Sequence, residues 1–239
     1  MATSQVLRHL YSLETSSPEF HRQLYRLLQN DEEEEYLSTL QGPELTELVD
    51  FLDTVRALPS VSFELTDRAS QALGVTLVTD DISRRCLHKL QLICSNHGIL
   101  PSSYAISGEL TRVGNDPIGT GGFADVWEGT HNGIKVCIKC LRVTQQSRRS
   151  VEKVNIWSQH TFSCPLKDAH WHTIQAFYKE AVMWKKLRHP NVVPFVGVTQ
   201  NPLQFVSEWM PNGTLTEYVS ENPGVNRIGL VSLTTPITS

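Results

Sequence analysis

IGTGGFADVWEGTHNGIKVCIK, residues 118–139, decides how the chain is read. Gly119, Gly121 and Gly122 are followed by Ala124, where a strict G-x-G-x-x-G would carry its third glycine, and Val126 comes two residues later. Residues without side chains let backbone N–H groups come close to an anion, so the spacing predicts a phosphate-approach loop. Dinucleotide-binding turns use the same spacing but run from a strand into a helix, and here the flanks differ. Residues 123–129 alternate like a strand, Asn132-Gly133 is a two-residue hairpin turn, and residues 134–141 form a second apolar, β-branched run. No helix fits behind the glycines, and no Gly-Lys-Ser/Thr follows them as a P-loop requires.

A glycine loop bridging two antiparallel strands, with a further strand ending in Lys139, resembles the eukaryotic protein kinase family. Val136-Cys137-Ile138-Lys139 matches the V-A-I-K strand of that family, with Cys137 in the alanine position. Downstream, a helical pattern runs through Phe177, Tyr178, Ala181, Val182, Trp184 and Leu187 and stops at His189-Pro190, where proline forbids continuation. In the family an acid lies nine residues ahead of the histidine of H-P-N, and that count falls on Glu180. The resemblance implies that Lys139 reaches the α- and β-phosphates and that Glu180 holds its ammonium in aim. It further implies that Ile118, Gly119, Thr120, Gly121, Gly122, Phe123 and Val126 cover the nucleotide. Ser207-Glu208-Trp209-Met210 takes the place of the hinge, whose backbone groups pair with the adenine edge, with Ser207 as a small gatekeeper. Pro211-Asn212-Gly213-Thr214-Leu215 resembles the P-N-G-S/T-L that opens the family's next helix, Trp209 favours the tyrosine-kinase-like branch, and residues 1–104 resemble the helical leader found ahead of such domains in many fungal proteins.

The fold this implies is α+β: an N-terminal all-α leader over residues 1–104, then a kinase small lobe over residues 105–239, a five-stranded antiparallel sheet with one helix. The cofactor implied is ATP, with Mg²⁺ in the family. The sequence holds neither an H-R-D-x-x-x-x-N catalytic loop nor a D-F-G, so the catalytic aspartate and the magnesium ligands are missing and the larger lobe is largely absent. Asp50-Phe51-Leu52 stands ahead of the glycine loop, in the wrong order for that role. The expectation is a protein-kinase-family chain, of Ser/Thr or Tyr type, that transfers no phosphoryl group alone. The alternative is a noncatalytic scaffold acting through a partner of the helical leader.

Residues 154–175 carry scattered aromatics and Pro165 without periodicity, and removing them leaves an ordinary spacing between strand and helix. They read as an insertion or a retained intron, since a valine codon begins with GT and a glutamine codon can end in AG. As a genuine regulatory insertion, they would offer Cys164, His170 and His172 as candidate metal ligands.

In the leader, Ser17-Pro18 opens a helix with the stripe Phe20, Leu24, Leu27 and Leu28, and Leu37 and Leu40 continue a short one as far as Gly42-Pro43. Leu45, Leu48, Val49, Leu52 and Val55 recur at helical spacing up to Pro59, and Asp80 or Asp81 caps a helix with Ile82, Leu87, Leu90, Ile93 and Cys94 that Gly98 stops. Such stripes form a small bundle's core. Residues 99–104 have turn composition and read as the linker.

Composition is ordinary for a globular chain, 40% hydrophobic and 19% charged, and a net charge of -4 gives no footprint for nucleic acid or an anionic membrane. The acidic run at residues 31–35 reads as a solvated helix start. Five cysteines lack disulfide-like spacing, and Cys137 and Cys140 point to opposite faces of a strand, so they cannot share a zinc ion. With no uncharged signal-like run at the N-terminus and no membrane-length apolar run, a cytoplasmic location is expected.

Overall fold

Ser17 opens the helix Pro18–Gln29 as its sequence suggests: its hydroxyl accepts the Phe20 N–H at 3.1 Å, and Pro18 occupies the first turn, where a missing N–H costs nothing. The computed structural model describes residues 9–10, 12–13, 17–29, 42–58, 60–61, 78–142 and 169–227. They form two units, one drawn from Met1–Ala105 and Val143–Trp184, the other from Ile106–Arg142 and Lys185–Ser239.

The first unit holds the helices α1 (Pro18–Gln29), α2 (Pro43–Ala57), α3 (Asp80–His97) and most of α4 (Ala169–Lys186). The apolar stripes turn inward: Phe20, Leu24, Leu48, Val49, Leu52 and Leu90 are each at most 1% exposed. Each such burial contributes about 1.5–3 kcal/mol. Phe20 meets the edge of Phe51 with ring centroids 6.4 Å apart. Gly98 ends α3 in the left-handed region, φ 65°, where its N–H donates to the Cys94 carbonyl.

Several expectations change here. The leader is not all-α: β1 (Ser60–Val61) and β2 (Val78–Thr79) pair in parallel, and the β-branched Val78 and Thr79 suit the second. Thr79, not Asp80 or Asp81, caps α3, its hydroxyl accepting the Ile82 N–H at 3.2 Å. The helix before His189-Pro190 starts at Ala169, inside the stretch 154–175, because the buried Ile174 extends the stripe of Phe177, Tyr178, Ala181 and Val182 back by one turn. Leu37, Leu40, the acidic run and Cys164 lie outside the described residues.

The linker is also more than a turn. Ser102–Tyr104 forms a 3₁₀ turn fixed to α2 through two acids. Asp50 accepts the Ser102 N–H at 2.7 Å and the Ser102 hydroxyl at 2.5 Å. Asp53 accepts the Ser103 hydroxyl at 2.8 Å, the Tyr104 hydroxyl at 3.1 Å and the Arg56 guanidinium at 2.5 Å.

Burial pushes the Cys86 thiol up to about 12, and burial together with the charge of Asp53 raises Cys94 as well. Thiolate is the nucleophile, so both should resist an alkylating reagent at pH 8 in the native chain and react once denaturant is added. Peptide mapping that found Cys86 alkylated as fast as the half-buried Cys137 and Cys140 would contradict this packing.

The second unit is an antiparallel sheet with the strand order β3-β5-β6-β8-β7 and a short β4 paired to β5. Its strands are β3 (Leu110–Arg112), β4 (Gly119–Thr120), β5 (Ala124–His131), β6 (Ile134–Leu141), β7 (Phe195–Gln200) and β8 (Leu203–Glu208). Asn132 (φ 49°) and Gly133 (φ 81°) are both left-handed, the two-residue turn whose twist suits a β5–β6 hairpin. Six strands replace the expected five because the first is split. Seven steps from Arg112 to Gly119 face three from Gly129 to Val126, so four residues bulge out of the pairing. The Val113 N–H to Glu128 carbonyl bond (2.9 Å) and the Ile118 N–H to Val126 carbonyl bond (2.8 Å) flank the bulge. Val136, Ile138 and Val206 make a buried cluster on one face, with Ile106, Leu110, Trp127 and Val196 against it. Beyond β8, the short helix α5 (Leu215–Glu221) opens with a capping box between Thr214 and Glu217, and none of its residues is buried.

Candidate functional site

The alternation of a strand sets what each face of the sheet carries. With Val136 and Ile138 in the buried cluster, Lys135, Cys137 and Lys139 project from the opposite face of β6. One rung runs across the sheet through Gly119, Val126, Lys139, Phe205 and Val198. Lys139 is half-buried, and its Nζ lies 5.3 Å from the centroid of the Phe205 ring. Two rungs along, on the same face of β6, Cys137 stands between Glu128 and Ser207. Burial raises the pKa of the Cys137 thiol, and a hydrogen bond with Ser207 opposes the shift.

The glycine hairpin closes through the Gly121 N–H to Ala124 carbonyl bond at 2.8 Å, and Arg142 supports it from the end of β6. The Arg142 N–H donates to the Phe123 carbonyl at 2.9 Å, its guanidinium donates to the Gly121 carbonyl, and its Nε lies 3.6 Å from Asp125. Ile118, Thr120, Gly121, Gly122 and Phe123 are exposed, Phe123 by 72%.

The glycines of this hairpin are not required by the protein itself. None of Gly119, Gly121 and Gly122 has a positive φ, and a Cβ on them would meet nothing closer than 3.4 Å. Gly129 is the opposite case, since a Cβ there would run into Ile138 and lie 2.8 Å from the Thr111 carbonyl. Gly129 is a packing glycine, whereas the three in the loop leave open space on the outside.

At the far end of β8, Ser207 is 6% exposed and its hydroxyl donates to the Glu208 carbonyl at 3.4 Å. The Glu208 N–H is bonded to the Pro194 carbonyl and the Met210 carbonyl to the Gly213 N–H. Among the described residues, nothing takes the Met210 N–H.

The sheet unit thus brings together Ile118, Gly119, Thr120, Gly121, Gly122, Phe123, Val126, Lys139, Ser207, Glu208 and Met210. Glu180 is an exposed residue of α4, which belongs mostly to the helical unit. Sequence reasoning missed Lys135 and Glu128, whose side chains form an ion pair at 2.9 Å. Once Asn132-Gly133 fixes the hairpin register, the two fall on a diagonal across β5 and β6, a signal that was readable.

A glycine hairpin on an antiparallel sheet, with a lysine on the rung of its first glycine and a strand running into an open-ended hinge, is the arrangement of a kinase small lobe. Residues 113–238, just over half of the chain, match the family described as protein tyrosine and serine/threonine kinase, and the chain belongs to that family. It is similar to Tyrosine-protein kinase ABL2 of Homo sapiens, 32% identical over 92 residues that make up 36% of this chain and 8% of that protein. The likeness to Tyrosine-protein kinase ABL2 of Mus musculus has the same identity and extent. The chain therefore spans 8% of the length of these curated relatives.

Proposed function

We propose that the sheet unit is an ATP-binding lobe of the protein-kinase type. The observation that carries this reading is the contrast among the glycines: those of residues 119–122 answer to neither packing nor backbone conformation, which leaves the close approach of a ligand as the reason for them. Backbone N–H groups of the hairpin approach the phosphates. Lys139 supplies the positive charge on the rung of Gly119, and the Met210 N–H meets the adenine edge. Ile118 and Val126 cover the base and Ser207 borders it. Pairing of Lys139 with Glu180 belongs to the proposal through the family resemblance.

The family's magnesium ligands, the aspartate of D-F-G and the asparagine of the catalytic loop, do not occur in the sequence. Among the described residues, no three His, Cys, Asp or Glu side chains gather as a metal site. The residues present do not fit the ion, and no step is routed through it. For the 239-residue chain by itself we propose nucleotide binding without phosphoryl transfer. In a full-length family enzyme the same residues would position ATP for transfer to a protein Ser/Thr or Tyr hydroxyl.

Saturating ATP should raise the melting temperature of the sheet unit, and Lys139→Met should weaken binding by about tenfold, the loss of roughly one charge-assisted contact. Radiolabel transfer from ATP to any peptide, abolished by Lys139→Met, would refute the inactive reading. A folded chain that ATP does not stabilise would refute the nucleotide reading and favour a scaffold acting through its helical unit.

A further inference from the structure

Trp209 lies between the two residues whose backbones border the adenine site, and its indole is held from the sheet. The ammonium of Lys135 sits 4.1 Å from the indole centroid, and the same ammonium is paired with the Glu128 carboxylate at 2.9 Å. The register explains how the three meet. Val136 pairs with Glu208, so Lys135 and Trp209 come next along their chains, while Glu128 reaches Lys135 diagonally across the hairpin. Lys135 is also on the same face of β6 as Cys137 and Lys139, the face of the candidate site.

We propose that Glu128 and Lys135 are positioning residues that fix the hinge for nucleotide through a cation–π contact with Trp209. The proposal rests on the ATP-binding reading of the same lobe. The Glu208 N–H and the Met210 carbonyl are tied to Pro194 and Gly213, which anchors the hinge at both ends. Between them, the Glu208 carbonyl accepts the long Ser207 hydroxyl bond at 3.4 Å, and a fixed Trp209 ring adds a second restraint on the peptide planes that lead to the Met210 N–H. A surface ion pair alone would add little, and the side chains of Lys135 and Glu128 are 47% and 30% exposed. Here the carboxylate restricts an ammonium that would otherwise range over a flexible stem, and the ammonium restricts the ring. The gain is pre-organisation: a donor held in place before binding loses less freedom when the base arrives.

The test uses the full chain with ATP as the probe, following binding by calorimetry and the Trp209 indole N–H resonance, assigned with Trp209→Phe. Lys135→Met, which keeps the stem and removes the cation, should move that resonance in the nucleotide-free chain and weaken ATP about fivefold, with an unchanged melting temperature. Lys135→Arg, which keeps a cation over the ring, should restore affinity to within about twofold, a rescue that a purely structural role would not show. Glu128→Gln should fall between them. Lys135→Met binding ATP as the wild type does would overturn the proposal, as would a weakening that Lys135→Arg fails to rescue. Wild-type chain that binds no ATP would overturn the nucleotide reading first and this inference with it, so the two failures are distinguishable.

Discussion

Replacing Asp53 by alanine is expected to destabilise the helical unit by about 3–5 kcal/mol, the cost of stranding a buried charge. Asp53 is 8% exposed, and the Arg56 side chain it pairs with is 7% exposed, so the guanidinium would have no water to turn to. The same substitution takes the acceptor from the hydroxyls of Ser103 and Tyr104. Tyr104 is fully buried, and burial followed by the charge of Asp53 pushes its hydroxyl pKa up, so it stays a neutral donor whose bond to Asp53 the substitution removes. A domain is stable by only about 5–15 kcal/mol, so a loss of this size consumes much of the margin. Tyr104→Phe, which removes one donor and leaves the ion pair, should cost only about 1 kcal/mol. Urea unfolding followed by far-ultraviolet circular dichroism measures both. An Asp53→Ala chain within about 1 kcal/mol of wild type would mean that the network does not hold Ser102–Tyr104 to α2.

The second large effect is expected in the sheet, where Gly129→Val should cost about 3 kcal/mol or more through overpacking. Its Cβ would collide with Ile138, a fully buried member of the cluster under β5, and would lie 2.8 Å from the Thr111 carbonyl. Ile138, wholly buried in its cluster, could turn aside only against its packed neighbours, and Thr111 cannot retreat without disturbing the pairing of β3 with β5. Loss of amide protection in Leu110–Arg112, read by hydrogen exchange, is the expected local sign. Gly119→Ala makes the contrast, because its Cβ would meet only Val126, at 3.8 Å. That variant should keep its stability to within about 0.5 kcal/mol and lose ATP affinity instead. Equal destabilisation by the two substitutions would erase the distinction between packing glycines and approach glycines.

What could be read from the sequence was local. β6 and β8 were legible because an apolar, β-branched run bounded by turn residues has few alternatives, and Asn132-Gly133 fixed the hairpin because both residues accept positive φ. The glycine loop and Lys139 followed from the same stretch. What escaped depends on partners far along the chain. Asp50 and Ser102 are 52 residues apart, and no periodicity in either segment announces their bond. The extent of the break between β3 and β4 is set by the register with β5, although the turn-rich Gly114-Asn115-Asp116-Pro117 could have announced it. Thr79 won the cap of α3 over two adjacent aspartates because it sits one residue outside the helix with extended backbone, which lets its hydroxyl reach back to the Ile82 N–H. The clamp on Trp209 joins a hairpin to a hinge more distant still, and its charged half alone, Glu128 with Lys135, was within reach of a register argument.

The central claim, that the glycine hairpin and the strand ending in Lys139 form a nucleotide site, is tested most directly by titrating ATP into the isotopically labelled chain and mapping the amide shifts. The account predicts saturable changes centred on Gly119, Gly121, Val126, Lys139 and Met210, lost in Lys139→Met. Shifts confined to α1, α2 and α3, or none at concentrations that saturate a kinase lobe, would contradict it.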